Sequence, residues 1–209
     1  MHRKIKDFGI HLQDFISLKV LTRGSIERKL LSFRKASEEF QVLSKESEII
    51  VRSSQSLCMK LPTFSEIGEI GTIFKGSCEI WSIFQKYFSH LDSIGSESWI
   101  TFRKNINRID NFCSEWEEKI KSLDYVEACK DVIVYLNGEL QMLKDALPTI
   151  KHCYGDSFRE DHWEELLQGK MGVSSEIRIE SLFCYHFLQN LKILSDPDIF
   201  DFARELSNR

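Results

Sequence analysis

From Trp99 onward, apolar residues recur at every third or fourth position: Trp99, Phe102, Ile106, Ile109, Cys113, Trp116 and Ile120. Charged residues fill the positions between them. Such a stripe places one greasy face along an α-helix and cannot be satisfied by a strand, whose period is two. The pattern is not confined to that segment. Phe64, Ile67, Ile70, Phe74, Cys78, Trp81, Phe84, Phe88 and Leu91 form a second stripe, and Val126, Cys129, Ile133, Leu136, Leu140, Leu143 and Leu147 a third. Weaker stripes run through Phe8, Leu12, Phe15 and Leu18, and through Leu30, Phe33, Phe40, Leu43 and Ile50. With only 3 Pro in 209 residues, few positions stop a helix outright. The spacing therefore predicts an all-α chain, an elongated array of amphipathic helices packed as bundles. The competing fold is a mixed domain with one hidden strand near 45–52 or 131–136.

Punctuation divides the array. Thr22-Arg23-Gly24-Ser25 reads as a break, with Ser25 as the N-cap of a helix reaching about residue 52. Ser53-Ser54-Gln55-Ser56 reads as a loop, and a helix is expected to start at or just after Pro62. Gly68, Gly71 and Gly76 predict a kink or interruption early in the next helix. Ser96 is expected to open the helix carrying Trp99. Leu147-Pro148 marks the end of a helix that begins near Tyr125. A short helix is predicted over Asp161–Leu167, stopped by Gly169, and Asp196 caps a last one. These breaks suggest three parts: 1–60, an N-terminal helical tail segment; 61–155, a helical bundle; and 156–209, a further helical region.

Composition excludes several function classes. A net charge of -4, with no block of Lys and Arg, gives no electrostatic footprint for nucleic acid. Charges interrupt every apolar run before the ~20 residues needed to insert into a membrane. The six cysteines are dispersed without a CxxC pair and read as free thiols on helix faces. Gly169-Lys170 is followed by Met171, so the phosphate-cradling loop lacks both its upstream glycine and its hydroxyl residue. His152-Cys153 are adjacent rather than a helical turn apart, and His162 and His186 stand alone, so no metal is expected. Glu117-Glu118 and Glu164-Glu165 are neighbours that point in different directions on a helix. No catalytic residue, cofactor or metal ligand is assigned. The residues singled out are apolar anchors: Trp81, Trp99, Phe102, Phe112, Trp116, Leu147, Pro148, His162, Trp163 and Leu166. Trp163 reads as a core anchor, with a docking corner as the other possibility. Trp81, Trp99 and Trp116 read as core, with an exposed partner-binding stripe as the other possibility.

The order of these anchors resembles a known family. Ser98-Trp99-Ile100-Thr101-Phe102-Arg103, Phe112-Cys113-Ser114-Glu115-Trp116, Leu147-Pro148, and Asp161-His162-Trp163-Glu164-Glu165-Leu166-Leu167 follow one another as do the end of the tail and the start of the linker in dynein heavy chains. There a Trp-x-x-Phe helix precedes a Leu-Pro turn and an Arg-His-Trp element; here the element is Asp-His-Trp. Ile179-Glu180-Ser181-Leu182-Phe183 and Ala203-Arg204-Glu205-Leu206 fit the segment that follows. The likeness is clearest over about 80–205 and closest to the cytoplasmic dynein-2 branch, with an axonemal chain as the second reading. It implies a non-catalytic structural and mechanical segment of a microtubule motor, located in cytoplasm, cytoskeleton and cilium. The implied partners are dynein intermediate and light intermediate chains, with self-association through surfaces that the rest of a heavy chain would cover. An independent helical adaptor binding a partner helix or dynein subunits is the alternative.

Overall fold

The computed structural model describes residues 1–16, 23–60, 62–123, 127–153, 155, 158–172 and 181–209. Among these the chain is all-α. Ten helices follow in order: α1 (His2–Ile16), α2 (Arg23–Ser56), α3 (Ser65–Gly95), α4 (Trp99–Phe102), α5 (Asn107–Lys121), α6 (Lys130–His152), α7 (Glu160–Gly169), α8 (Cys184–Leu188), α9 (Leu191–Leu194) and α10 (Pro197–Ser207). They form two compact units. The first comprises Met1–Gln85 with Leu123–Val134, the second Lys86–Ser122 with Tyr135–Arg209. The regions 45–52 and 131–136, where a strand was conceivable, lie inside α2 and α6.

In the first unit the sequence stripes become a ring-lined core. Phe8 of α1, Phe33 and Phe40 of α2, and Phe74, Trp81 and Phe84 of α3 stack in a chain of ring contacts 5.4–6.2 Å apart. Ile5 is buried with Phe8 and Leu12, because α1 begins at His2, ahead of the stripe's first residue. The side chains of Phe15, Leu18 and Ile26 lie outside the described residues. α3 runs without the interruption that its glycines suggested. Gly71 has a packing reason instead: a Cβ there would stand 2.9 Å from the Phe40 ring, so the glycine lets α2 and α3 approach.

α2 corrects two expected boundaries. It starts at Arg23, so Ser25 lies inside it and caps nothing, and Ser53–Ser56 is its last turn rather than a loop. The true stop is a Schellman turn. The Met59 N–H donates to the Ser54 carbonyl at 2.9 Å and the Cys58 N–H to the Gln55 carbonyl at 3.1 Å. Cys58 takes the left-handed conformation there, with φ of 52°. Glycine usually holds that position, and its absence is why the stop was not legible.

In the second unit the stripe from Trp99 survives, but the helix does not. Ser98, not Ser96, is the first cap, at φ -61° and ψ 134°. A single turn, α4, passes through a 3-10 turn at Arg103–Asn105 before α5 begins. Asn105 and Asn107 favour such a change of pitch, since Asn side chains compete with the helical backbone for hydrogen bonds. Pro148 lies inside α6 and does not end it. The missing N–H is tolerated because the turn beyond is anchored: Ile150 and Cys153 are buried, and the Thr149 hydroxyl donates to the Leu194 carbonyl at 2.8 Å. Asp196 caps α10 as expected, accepting from the Asp198 N–H at 3.0 Å, with Pro197 opening the helix.

Candidate functional site

The densest constellation of singled-out residues is in the second unit. Trp99 and Trp163 meet edge to face at 5.6 Å, and Phe187 lies 4.3 Å from Trp99 and 5.5 Å from Trp163. Phe158 closes the group 4.7 Å from Trp163, and Phe102 flanks Trp99 at 6.3 Å. All five are buried, as is Leu166. The segments carrying these rings are fixed by backbone pairing. Ser98 and Phe183 form an isolated antiparallel bridge in which the Trp99 N–H donates to the Leu182 carbonyl at 2.7 Å and the Cys184 N–H to the Glu97 carbonyl at 3.0 Å. Glu97 and Arg108 reinforce it with a two-pronged ion pair at 2.6 and 2.7 Å, and the Arg108 guanidinium lies 5.3 Å from the Phe102 ring centre. The hydrogen bond from Arg108 holds the Glu97 carboxyl below its ordinary pKa. Nothing in the local sequence advertised this bridge.

His162 sits at the third position of α7, buried, and its Nδ1 accepts the Arg159 backbone N–H at 3.3 Å. The imidazole thus does what Glu does in an ordinary capping box. The Arg159 guanidinium lies 3.2 Å from His162 Nε2 and pairs with Asp161 at 3.1 Å. His186 repeats the device at the start of α8, accepting the Phe183 N–H at 3.1 Å. Both histidines thus act as local helix caps.

A second group centres on Trp116. Its indole N–H donates to His90 Nδ1 at 3.2 Å, Phe112 and Tyr87 pack at 6.0 and 5.5 Å, and Lys119 lies 4.4 Å from the ring centre. Burial raises the Tyr87 hydroxyl well above its ordinary value. Leu147 is buried on α6 and Pro148 is exposed. Trp81 stands apart, in the core of the first unit. All four tryptophans are 1–2% exposed, which removes the reading of Trp81, Trp99 and Trp116 as an external stripe. The Nε1 atoms of Trp81, Trp99 and Trp163 have no hydrogen-bond partner, a cost carried by ring packing.

Burial pushes the Cys113 thiol up to about 11 and that of Cys184 up to about 12, so both remain protonated and unreactive at neutral pH. A close Ser-His pair, His152 Nε2 and Ser207 Oγ at 2.7 Å, points the wrong way for a nucleophile. Ser207 donates to the Arg204 carbonyl at 2.9 Å, so its single proton is used and His152 must donate to it. Among the described residues no three His, Cys, Asp or Glu side chains gather as a metal site would require, and no helix is long and apolar enough to cross a membrane.

The residues that set this helical segment apart follow in the order Trp-x-x-Phe, Leu-Pro, His-Trp, and all of them but Pro148 are buried. The family it belongs to is that of dynein heavy chains: residues 68–198 match the model of "Dynein heavy chain, N-terminal region 2". Relatives agree. The chain is 28% identical over 144 residues to cytoplasmic dynein 2 heavy chain 1 of Caenorhabditis elegans, covering 69% of this chain and 3% of that one. It is 23% identical over 160 residues to the Mus musculus protein of that name, covering 77% and 4%. The Homo sapiens protein is 24% identical over 159 residues, covering 76% and 4%. The chain thus spans only a few per cent of the length of these relatives.

Proposed function

We propose that this chain is a non-catalytic structural and mechanical segment of a dynein heavy chain of the dynein-2 type, serving assembly and force transmission between tail and linker. The carrying observation is the buried Trp99–Trp163–Phe187 cluster with its Ser98–Phe183 bridge, inside the region that matches the family. A close-packed aromatic core deforms little, and strain applied at one edge is passed on rather than absorbed. The processes served are microtubule-based and intraflagellar transport, with cytoskeleton and cilium as the location. The partners are dynein intermediate and light intermediate chains or other parts of a dynein complex. The chain carries no ATPase activity of its own; an ATPase rate that co-purifies with it and disappears on mutating one of its residues would falsify that part.

The test is purification of the tagged chain from ciliated cells, with identification of what comes with it. Recovery of dynein intermediate, light intermediate or intraflagellar transport proteins, lost in Trp163→Ala, supports the assembly role. Recovery of chaperones alone overturns it for the isolated chain. The exposed apolar residues of α2 favour a second reading, an independent helical adaptor. That reading requires partner capture to survive Trp163→Ala and fail when α2 is altered.

A further inference from the structure

α2 carries two apolar faces. Phe33, Ala36 and Leu43 are buried in the core of the first unit. Leu31, Val42 and Ile49 are 57%, 56% and 62% exposed. These three are eleven and seven residues apart, so at about 100° per residue they fall within roughly 20° of one line along the helix. That line is a seam about 27 Å long. Arg34, Lys45 and Arg52 share the same spacing and lie some 40–60° to one side of it, all exposed. Arg52 pairs with Glu48, 3.6 Å away and on its own helix. The opposite edge offers Glu39 and Glu46, and Glu46 is held by Lys4 at 3.0 Å.

We infer that the outer face of α2 is a docking seam for an acidic amphipathic helix, whose apolar residues cover Leu31, Val42 and Ile49 while its carboxylates pair with Arg34, Lys45 and Arg52. Charge complementarity selects this occupant. A lipid surface requires a broad apolar face, and Lys35 and Glu38 interrupt the seam. A second copy in parallel register sets Lys35, Glu38 and Lys45 each against its own twin, which like charges oppose. The inference stands on α2 and goes beyond the assembly role proposed above, so either fails without the other.

The probes are two synthetic peptides of about four heptads, both with Leu at a and d, one with Glu and one with Lys at e and g. Binding to the full chain is read by fluorescence anisotropy. The Glu peptide binds at least about tenfold tighter than the Lys peptide, and rising salt narrows the gap. R34E/K45E/R52E reverses the preference, a gain that misfolding cannot produce. Val42→Asp abolishes binding of both peptides while the helix content seen by circular dichroism is unchanged. Equal binding of the two peptides, or binding that survives Val42→Asp, overturns the inference. So does a dimer by light scattering that Val42→Asp dissociates, because the occupant is then a second copy. Co-sedimentation with anionic vesicles that depends on Val42 overturns it in favour of lipid.

Discussion

The two units spend their apolar residues differently. Among the described residues, the second buries three of the four tryptophans and leaves Phe183 and Tyr185 as its large apolar side chains exposed beyond a third of their surface. The first has long helices, the 34 residues of α2 and the larger part of the 31-residue α3, yet leaves Ile10, Leu31, Val42, Ile49, Ile73 and Val134 in solvent. Short helices joined by caps and a bridge make a closed framework; long helices with two apolar faces make a surface. The difference separates a unit whose anchors maintain shape from one whose leftover faces await contact.

The largest expected effect tests the closed framework. Trp163→Ala removes a ring that touches Trp99, Phe158 and Phe187 and should cost about 3–5 kcal/mol. Val42→Ala, on the outer face of α2, should change stability by less than about 0.5 kcal/mol. Urea denaturation gives the magnitudes, and amide hydrogen exchange shows which unit loses protection. Comparable losses for the two variants would erase the distinction between framework and surface.

Much of the framework was legible in the sequence because it repeats locally. The three-and-four spacing of Trp99 through Ile120 and of Leu136 through Leu147 fixes which side chains share a face, whatever the exact helix ends. Asp196-Pro197 is a cap written in adjacent residues. Features that depend on distant pairing were invisible. Phe183 meets Ser98 across the chain, and neither neighbourhood alternates as a strand should. Chemistry borrowed by an unusual residue was also missed: His162 and His186 cap helices where an acid is sought, and Cys58 turns the chain where glycine is sought. Pro148 misled because its cost of about 3 kcal/mol in a helix interior is outweighed by burial beyond it. The division at Gln85 falls within α3, where no break in composition exists. The candidate site was legible as a set of anchors, but their grouping around Trp99 and Trp163 was not.

Intermediate effects sharpen the comparison at the unit level. Arg108→Ala removes both prongs of the ion pair beside the Ser98–Phe183 bridge and should cost about 1 kcal/mol, given its partial exposure. The double swap E97R/R108E should recover part of the loss, and exchange at the Trp99 and Cys184 amides is the local readout. Cys58→Gly acts in the first unit with the opposite sign. It relieves a left-handed residue worth about 1 kcal/mol and should stabilise by somewhat less, because glycine also loosens the unfolded chain. A higher urea midpoint for Cys58→Gly confirms that α2 ends in a strained Schellman turn; a lower one means that the cysteine side chain contributes more than its backbone costs.

The smallest effect is electrostatic and belongs to the second unit. Glu117 lies between Lys121 of its own helix and Lys144 of α6, and those two ammonium groups lower its carboxyl from the ordinary 4.5 to about 2. A depressed carboxyl stabilises the fold above its unfolded value and loses that contribution as pH falls through its folded value. The window is therefore between about 4.5 and about 2. Glu117→Gln should leave the acid limb of a stability profile shallower in that window and change little between pH 2 and lower values, where the wild-type carboxyl is itself protonated. The carboxyl is at the surface, so the change should also shrink as salt rises. Lys144→Gln should produce a similar flattening, because it removes one of the two cations that hold the Glu117 carboxylate. If Glu117→Gln leaves the acid limb as steep as before, the charges of the second unit, unlike its rings, contribute nothing to its resistance to acid.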